Sequence, residues 1–232
     1  MGRKKDIRTA MNKFQGLTED TYNFFWEIAF QNNQSFFNAN RERYKNSVQL
    51  PLLQLASELA PSALDIDPAF QVRPSSAVSR IRRDTRYSKD KSPFRDHMWI
   101  GFKYPASYTS ESFVVYVEFE RESYGYGMGM YAPNPVLMQE FRGRMLARSD
   151  KFLRLVNDKA FTERFQVEGE SFKRPKYTEQ RQDILPWLNR RRLVFFYSSP
   201  ELSKTLRPEI LDEIKEAFQI MKPVYRFLKG LD

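Results

Sequence analysis

The residues best suited to chemistry crowd into one stretch, Ser79-Arg80-Ile81-Arg82-Arg83-Asp84-Thr85-Arg86-Tyr87-Ser88-Lys89-Asp90-Lys91-Ser92-Pro93-Phe94-Arg95-Asp96-His97. Seven Lys and Arg side chains here face three Asp, a density of positive charge that attracts phosphates or carboxylates. If Ser79 to Arg83 is a strand, alternation puts Arg80, Arg82 and Asp84 on one face and Ile81 with Arg83 on the other. An inward Ile81 then draws Arg83 inside, where a guanidinium keeps its charge and must meet a carboxylate or a bound anion. Past Asp84, the residues Thr85, Arg86, Ser88, Lys89 and Lys91 lack helical spacing and Pro93 closes the run, so a loop is expected. Its hydroxyls, N–H groups and ammonium groups can converge on anion oxygens. Alternatively, Asp84, Asp90 and Asp96 neutralise their neighbours in ion pairs that are purely structural. Both readings stay open.

His97 is the one histidine of the chain and cysteine is absent. Beside Asp96 and the basic loop, His97 can act as general acid or base near neutral pH, with Asp84 the second candidate; the bland alternative is a strand histidine donating to a carbonyl. Disulfides, thiolate catalysis and cysteine or multi-histidine metal sites are excluded, while carboxylate-held magnesium stays open and no cofactor is assigned. A reducing cytoplasm is the expected compartment.

Other segments can contribute to a cleft. Lys173 and Lys176, in Lys173-Arg174-Pro175-Lys176-Tyr177, can form the opposite wall of an anion site or stand as solvated lysines. Asn33, Arg41 and Tyr44 can add polar groups, although Asn32-Asn33 serves equally well as a helix stop and restart. The run Tyr124 to Tyr131 lacks the later glycine and the helix of a dinucleotide fingerprint. As a strand it puts Gly125, Gly127 and Gly129 on one bare face, which invites a backbone or flat ligand and most simply packs beneath a helix.

The elements that must position these residues follow from periodicity. Thr18 caps a helix with Phe24, Phe25 and Ile28 on one face; a second runs from Ser35 past Tyr44; Pro51 opens a third, Leu52 to Leu59, that Pro61 ends. Strands are expected at Phe70 to Arg73, Ser79 to Arg83, Met98 to Tyr104, Phe113 to Glu120, Tyr124 to Tyr131 and Leu193 to Tyr197. Asn134-Pro135 starts a helix reaching about Arg148, and Ser149 or Asp150 caps another. A helix from Glu179 to Asn189 ends in Arg190-Arg191-Arg192, whose cations complement its dipole. Pro208 to Leu228 forms a last amphipathic helix, kinked or shortened by Pro223, with Gly230 beyond its end. Helices, then strands, then helices give an α+β fold, an antiparallel or mixed central sheet flanked by helices in a single compact domain over 14–232, preceded by a flexible basic arm, 1–13.

The motif Arg83-Asp84-Thr85-Arg86-Tyr87-Ser88-Lys89-Asp90-Lys91-Ser92-Pro93-Phe94, with Asn32-Asn33, Phe37, Arg41 and Tyr44 before it, resembles an uncharacterised family of conserved hypothetical proteins, domain of unknown function 2461. The resemblance runs from Phe14-Gln15-Gly16-Leu17 through the Tyr124 to Pro133 segment to Lys173-Arg174-Pro175-Lys176. This chain departs from the family pattern at Tyr177, where glycine usually follows the Pro-Lys pair. The resemblance implies a mixed helix and sheet fold and supplies no activity.

The net charge of +9 and a pI near 9.6 bear on partners. A phosphorylated or other anionic small ligand at residues 80–97 is the leading expectation. Nucleic-acid binding is a weaker one, resting on the basic arm and the aromatic content. A structural or interaction module with an internal salt-bridge network is the third. No secretory signal is expected at the start, and runs such as Phe113 to Val117 fall far short of the ~20 apolar residues that cross a bilayer, so a soluble protein with no membrane partner is expected.

Overall fold

Alternation of side chains builds the sheet. Strands β1 (Met98–Phe102), β2 (Phe113–Phe119), β3 (Tyr124–Met130), β4 (Gln166–Glu168) and β5 (Val194–Ser199) lie in the order β1-β2-β3-β5-β4, every neighbouring pair antiparallel. This computed structural model describes residues 13–86, 88–105 and 112–232, so the expected arm lies outside the described residues except for Lys13. On one face Met98, Ile100, Phe102, Val115, Val117, Phe119, Tyr126 and Met128 are fully buried. The long helix α10 (Ile210–Lys229, numbered after the helices given below) covers that face, with Phe218 edge-on to Phe102 and Tyr225 stacked on Phe113.

Helices α1 (Glu19–Phe30), α2 (Gln34–Ala39), α3 (Arg41–Tyr44) and α4 (Leu50–Ile66) precede the sheet, with a π-helical turn over Lys45–Gln49 joining α3 to α4. Asn33 caps α2 by accepting from the Phe36 N–H at 2.9 Å. Pro61 sits inside α4 and does not end it, contrary to expectation. Between sheet and C-terminus come α5 (Pro74–Ala77), α6 (Pro135–Ala147), α7 (Ser149–Val156), α8 (Lys159–Arg164) and α9 (Leu185–Leu188). Asn134 caps α6 as expected, accepting from the Leu137 N–H. Ser149 does not cap α7; its hydroxyl bonds back to the Met145 carbonyl. In α10 the chain passes through Pro223 without stopping, and Gly230 closes the helix in the left-handed region at φ 68°.

Four further expectations fail for identifiable reasons. Phe70 to Arg73 is no strand: Gln71 donates once to Lys103, and Pro74 then opens α5. The Glu179 to Asn189 helix shrinks to α9, because Arg181 turns outward to Asp150 and Asp183 while the Asn189 side chain accepts from the Lys176 and Tyr177 N–H groups. The arginine triplet therefore does not serve a helix end; Arg190 and Arg192 donate to the carbonyls of Gly169 and Tyr131. Finally, what approaches the glycine strip most closely is strand β5 and not a helix. A Cβ on Gly125 or Gly127 would meet the Tyr197 or Phe195 carbonyl oxygen, and one on Gly129 would meet Val194, so the close neighbour is the β5 backbone. No helix among the described residues is long and apolar enough to cross a membrane.

Candidate functional site

The sheet face turned away from α10 is not filled by core side chains. Register places Trp99 opposite Glu118 and Val114 opposite Gly129, and Gly129 opposite Val194, so these residues share that face with Tyr116. They floor a cavity of about 750 Å³. Its walls come from Arg83, Asp90, Arg95, Asp96 and His97 of the basic segment together with Tyr131 and Arg192.

The basic segment reaches the cavity through one point of pairing. The expected Ser79 to Arg83 strand reduces to a single bridge between Arg82 and Phe94, flanked by Arg83 N–H to the Pro93 carbonyl and Arg95 N–H to the Ile81 carbonyl. Ile81 is buried as alternation requires. Phe94 is the anchor: buried, stacked on Phe37 with centroids 4.4 Å apart, and held at both backbone groups by the Asn32 side chain at 2.9 Å. An arch pinned at Phe94 delivers Arg95, Asp96 and His97 directly to the head of β1.

Within the arch the acids take up several cations. Arg83, half-buried, pairs with Asp90, and its fork reaches the Ser88 hydroxyl at 3.5 Å. Arg83 beside it holds the Asp90 carboxyl far below the usual range, with Ser92 adding. Arg86 grips Asp84 at 2.7 Å on the exposed surface and holds its carboxyl down at about 2. Lys91 donates to the Thr85 carbonyl at 2.9 Å. Arg80, Lys89, Arg41 and Lys173 are exposed, and Lys176 lies over the Phe172 ring at 4.5 Å. Of the candidates read from the sequence, Arg83 and His97 line the cavity; Arg80, Asp84, Arg86, Ser88, Lys89, Lys91, Lys173, Lys176, Asn33 and Arg41 lie outside its lining.

The cavity's own charges divide into paired and unpaired groups. Burial opposes the Asp96 carboxylate, but the His97 ring at 3.0 Å and Arg121 at 3.4 Å outweigh it and hold the group below its usual range. Glu118 moves the other way: burial pushes its carboxyl up, with His97 opposing and Glu120 assisting. Burial also pushes the Tyr116 phenol up, which keeps it a neutral donor. Arg95 lies over the Trp99 ring at 4.7 Å, donates to the Arg80 carbonyl, and is disfavoured as a cation first by burial and then by Arg83. Arg192 donates to the Tyr131 carbonyl, and its buried Nε has no partner among the described residues. Among those residues neither Arg95 nor Arg192 has a carboxylate within salt-bridge distance, and no group of three His, Asp or Glu side chains is placed to hold a metal ion.

A family model described as conserved hypothetical protein, DUF2461, matches residues 20–227. The chain belongs to the DUF2461 family. No curated protein matches it. The DUF2461 match includes every cavity residue named above, together with Asn32, Phe37 and Phe94, which pin the arch.

The sequence reading counted Arg95 among the cations of residues 80–97 without singling it out, and it did not foresee Trp99, Tyr116, Glu118 and Arg192 as lining of the cavity. One signal for Glu118 was available: in Phe113-Val114-Val115-Tyr116-Val117-Glu118-Phe119 it is the single charge, on the same face as Tyr116. Arg192 carried none, since its neighbours in sequence are also arginines.

Proposed function

We propose that the cavity binds a small anionic ligand, with Arg95 and Arg192 as the gripping cations and Trp99, Tyr116 and Tyr131 as its apolar and donor walls. One observation carries this reading: two arginines that meet no carboxylate line the same hollow, and one of them is further disfavoured by a third arginine beside it. A bound phosphate or carboxylate offsets that repulsion through charge-assisted hydrogen bonds. The exposed cations Arg86, Lys89 and Lys91 serve at most to draw the ligand in. For Arg83 with Asp90 and Arg86 with Asp84, the structural ion-pair reading has direct support in the pairs they form.

Calorimetric titration with inorganic phosphate and with small phosphorylated or carboxylated compounds tests the proposal. Arg95→Gln and Arg192→Gln should each weaken binding about 10- to 100-fold, the equivalent of losing one charged hydrogen bond worth about 1.5–3 kcal/mol. The exposed pair Arg86→Ala with Lys89→Ala should bind within a factor of about 3 of the parent. Binding lost in that surface pair but kept in Arg95→Gln would reject the cavity. A single-stranded oligonucleotide whose affinity collapses as salt rises would favour nucleic acid instead.

A further inference from the structure

We propose that Asp96, His97 and Glu118 form a proton-transfer unit in this cavity, acting on a small anionic substrate that carries an acidic C–H bond beside a carbonyl group. The inference rests on the anion-binding reading, which supplies the grip on the substrate, and adds a reaction to it.

The argument starts from which nitrogen carries the hydrogen. Asp96 Oδ1 lies 3.0 Å from His97 Nδ1, and an ionised carboxylate only accepts, so in the neutral ring Nδ1 bears the proton. That leaves Nε2 as a bare lone pair. Nε2 is also the nitrogen turned to Glu118, whose Oε1 is 3.9 Å away. The gap exceeds a hydrogen bond, so base and acid each keep capacity for a third molecule between or above them. The ring is held in plane by Trp99, stacked at 5.8 Å with 27° between planes, and Trp99 is held in turn by Arg95. The two carboxyls sit in opposed environments: Asp96 is kept charged by His97 and Arg121, whereas burial favours the protonated form of Glu118. Acids driven apart in this way divide into one that orients and one that donates.

The step balances without an oxidant, a metal or water. Arg95 and Arg192 hold the anionic end of the substrate. His97 Nε2 takes the proton from the carbon, the C–H electron pair becomes the carbon–carbon double bond of an enol, and the Glu118 carboxyl gives its proton to the carbonyl oxygen. His97 is left as imidazolium stabilised by Asp96, and Glu118 as carboxylate. Reversal restores both groups, and exchange of the His97 proton with solvent labels the substrate carbon.

In D2O the chain should therefore speed exchange of the C–H hydrogens of pyruvate or dihydroxyacetone phosphate, followed by proton NMR. Glu118→Gln and His97→Gln should each lose about 100-fold or more of that rate while still binding phosphate. Because the chain has one histidine, its nitrogen NMR signals are unambiguous: the parent should show the Nδ1–H form, and Asp96→Asn should disturb it. No exchange with either probe in a chain that binds phosphate overturns the reaction and leaves the anion reading standing. An Nε2–H ring in the parent overturns it independently. Failure to bind phosphate or the two probes overturns the anion reading and this proposal with it.

Discussion

Burial on the cavity floor raises the Glu118 carboxyl above its usual range, so the folded chain holds that proton more tightly than the unfolded chain does. The sign of the pH dependence follows. Where the folded state binds more protons, stability falls as pH rises from the unfolded value of about 4.3 towards the raised folded one. Glu118→Gln removes the titration, so its stability relative to the parent should grow as pH rises above about 4.3, on top of any constant offset the substitution brings. Urea midpoints at several pH values read this directly, and a difference that stays constant or moves in the parent's favour as pH rises would contradict it. A residue that costs stability where it stands and still faces a cavity fits a role in chemistry better than one in folding. At this scale the sequence was only partly legible. His97 and Arg83 stood out by type, whereas Arg95 and Arg192 matter because they lack acids, and the lack of a partner is a fact about space. Exposed Arg80 and Arg86 are the same residue type as the cavity's Arg95 and Arg192, so composition could not separate them.

Among the elements, the glycine strip of β3 makes the sharpest claim. A Cβ at Gly127 would collide with the Phe195 carbonyl oxygen, and backbone cannot swing aside as a side-chain tip can. Gly127→Ala must then push β5 away, at a cost of about 1–3 kcal/mol or more, seen as a lower urea midpoint. Gly143 supplies the contrast. It lies exposed within α6, with nothing within 4 Å of the added carbon, so Gly143→Ala should raise stability by about 0.5–1 kcal/mol. If both variants shifted in the same direction, close approach by β5 would not be the reason for the strip. Alternation foretold that Gly125, Gly127 and Gly129 share a face, and it foretold β1, β2, β3 and β5 closely. What occupies the face was beyond it, because β4, three residues long, and the order of strands depend on contacts distant in sequence. Polar runs such as 178–183 misled for the opposite reason: they have helical composition but no apolar stripe to bury.

Across the molecule, distant parts of the chain are tied to one another. The Leu17 N–H bonds the Thr205 carbonyl at 2.8 Å, and the Tyr22 hydroxyl meets the Thr205 hydroxyl at 2.6 Å in the interior. Helices α4 and α10 are joined by Lys222 to Asp65 at 2.7 Å and by Tyr225 to Asp67 at 3.2 Å. One apolar core includes residues from Phe14 to Leu228, so no segment carries a core of its own. Unfolding should accordingly be a single transition. The tryptophans are placed to test this: Trp26 in α1, Trp99 in β1 and Trp187 in α9, the last packed edge-on to Phe152. In three variants that each keep one tryptophan and replace the others by Phe, fluorescence and far-ultraviolet circular dichroism should fall on one urea curve within each variant. The midpoints will differ between variants, since each loses different ring contacts, but coincidence within a variant does not depend on that. Fluorescence from Trp187 changing ahead of the dichroism would mark residues 165–192 as a unit that opens by itself. Because that segment carries Arg192 towards the cavity, such opening would also make one of the two anion-gripping arginines mobile at equilibrium.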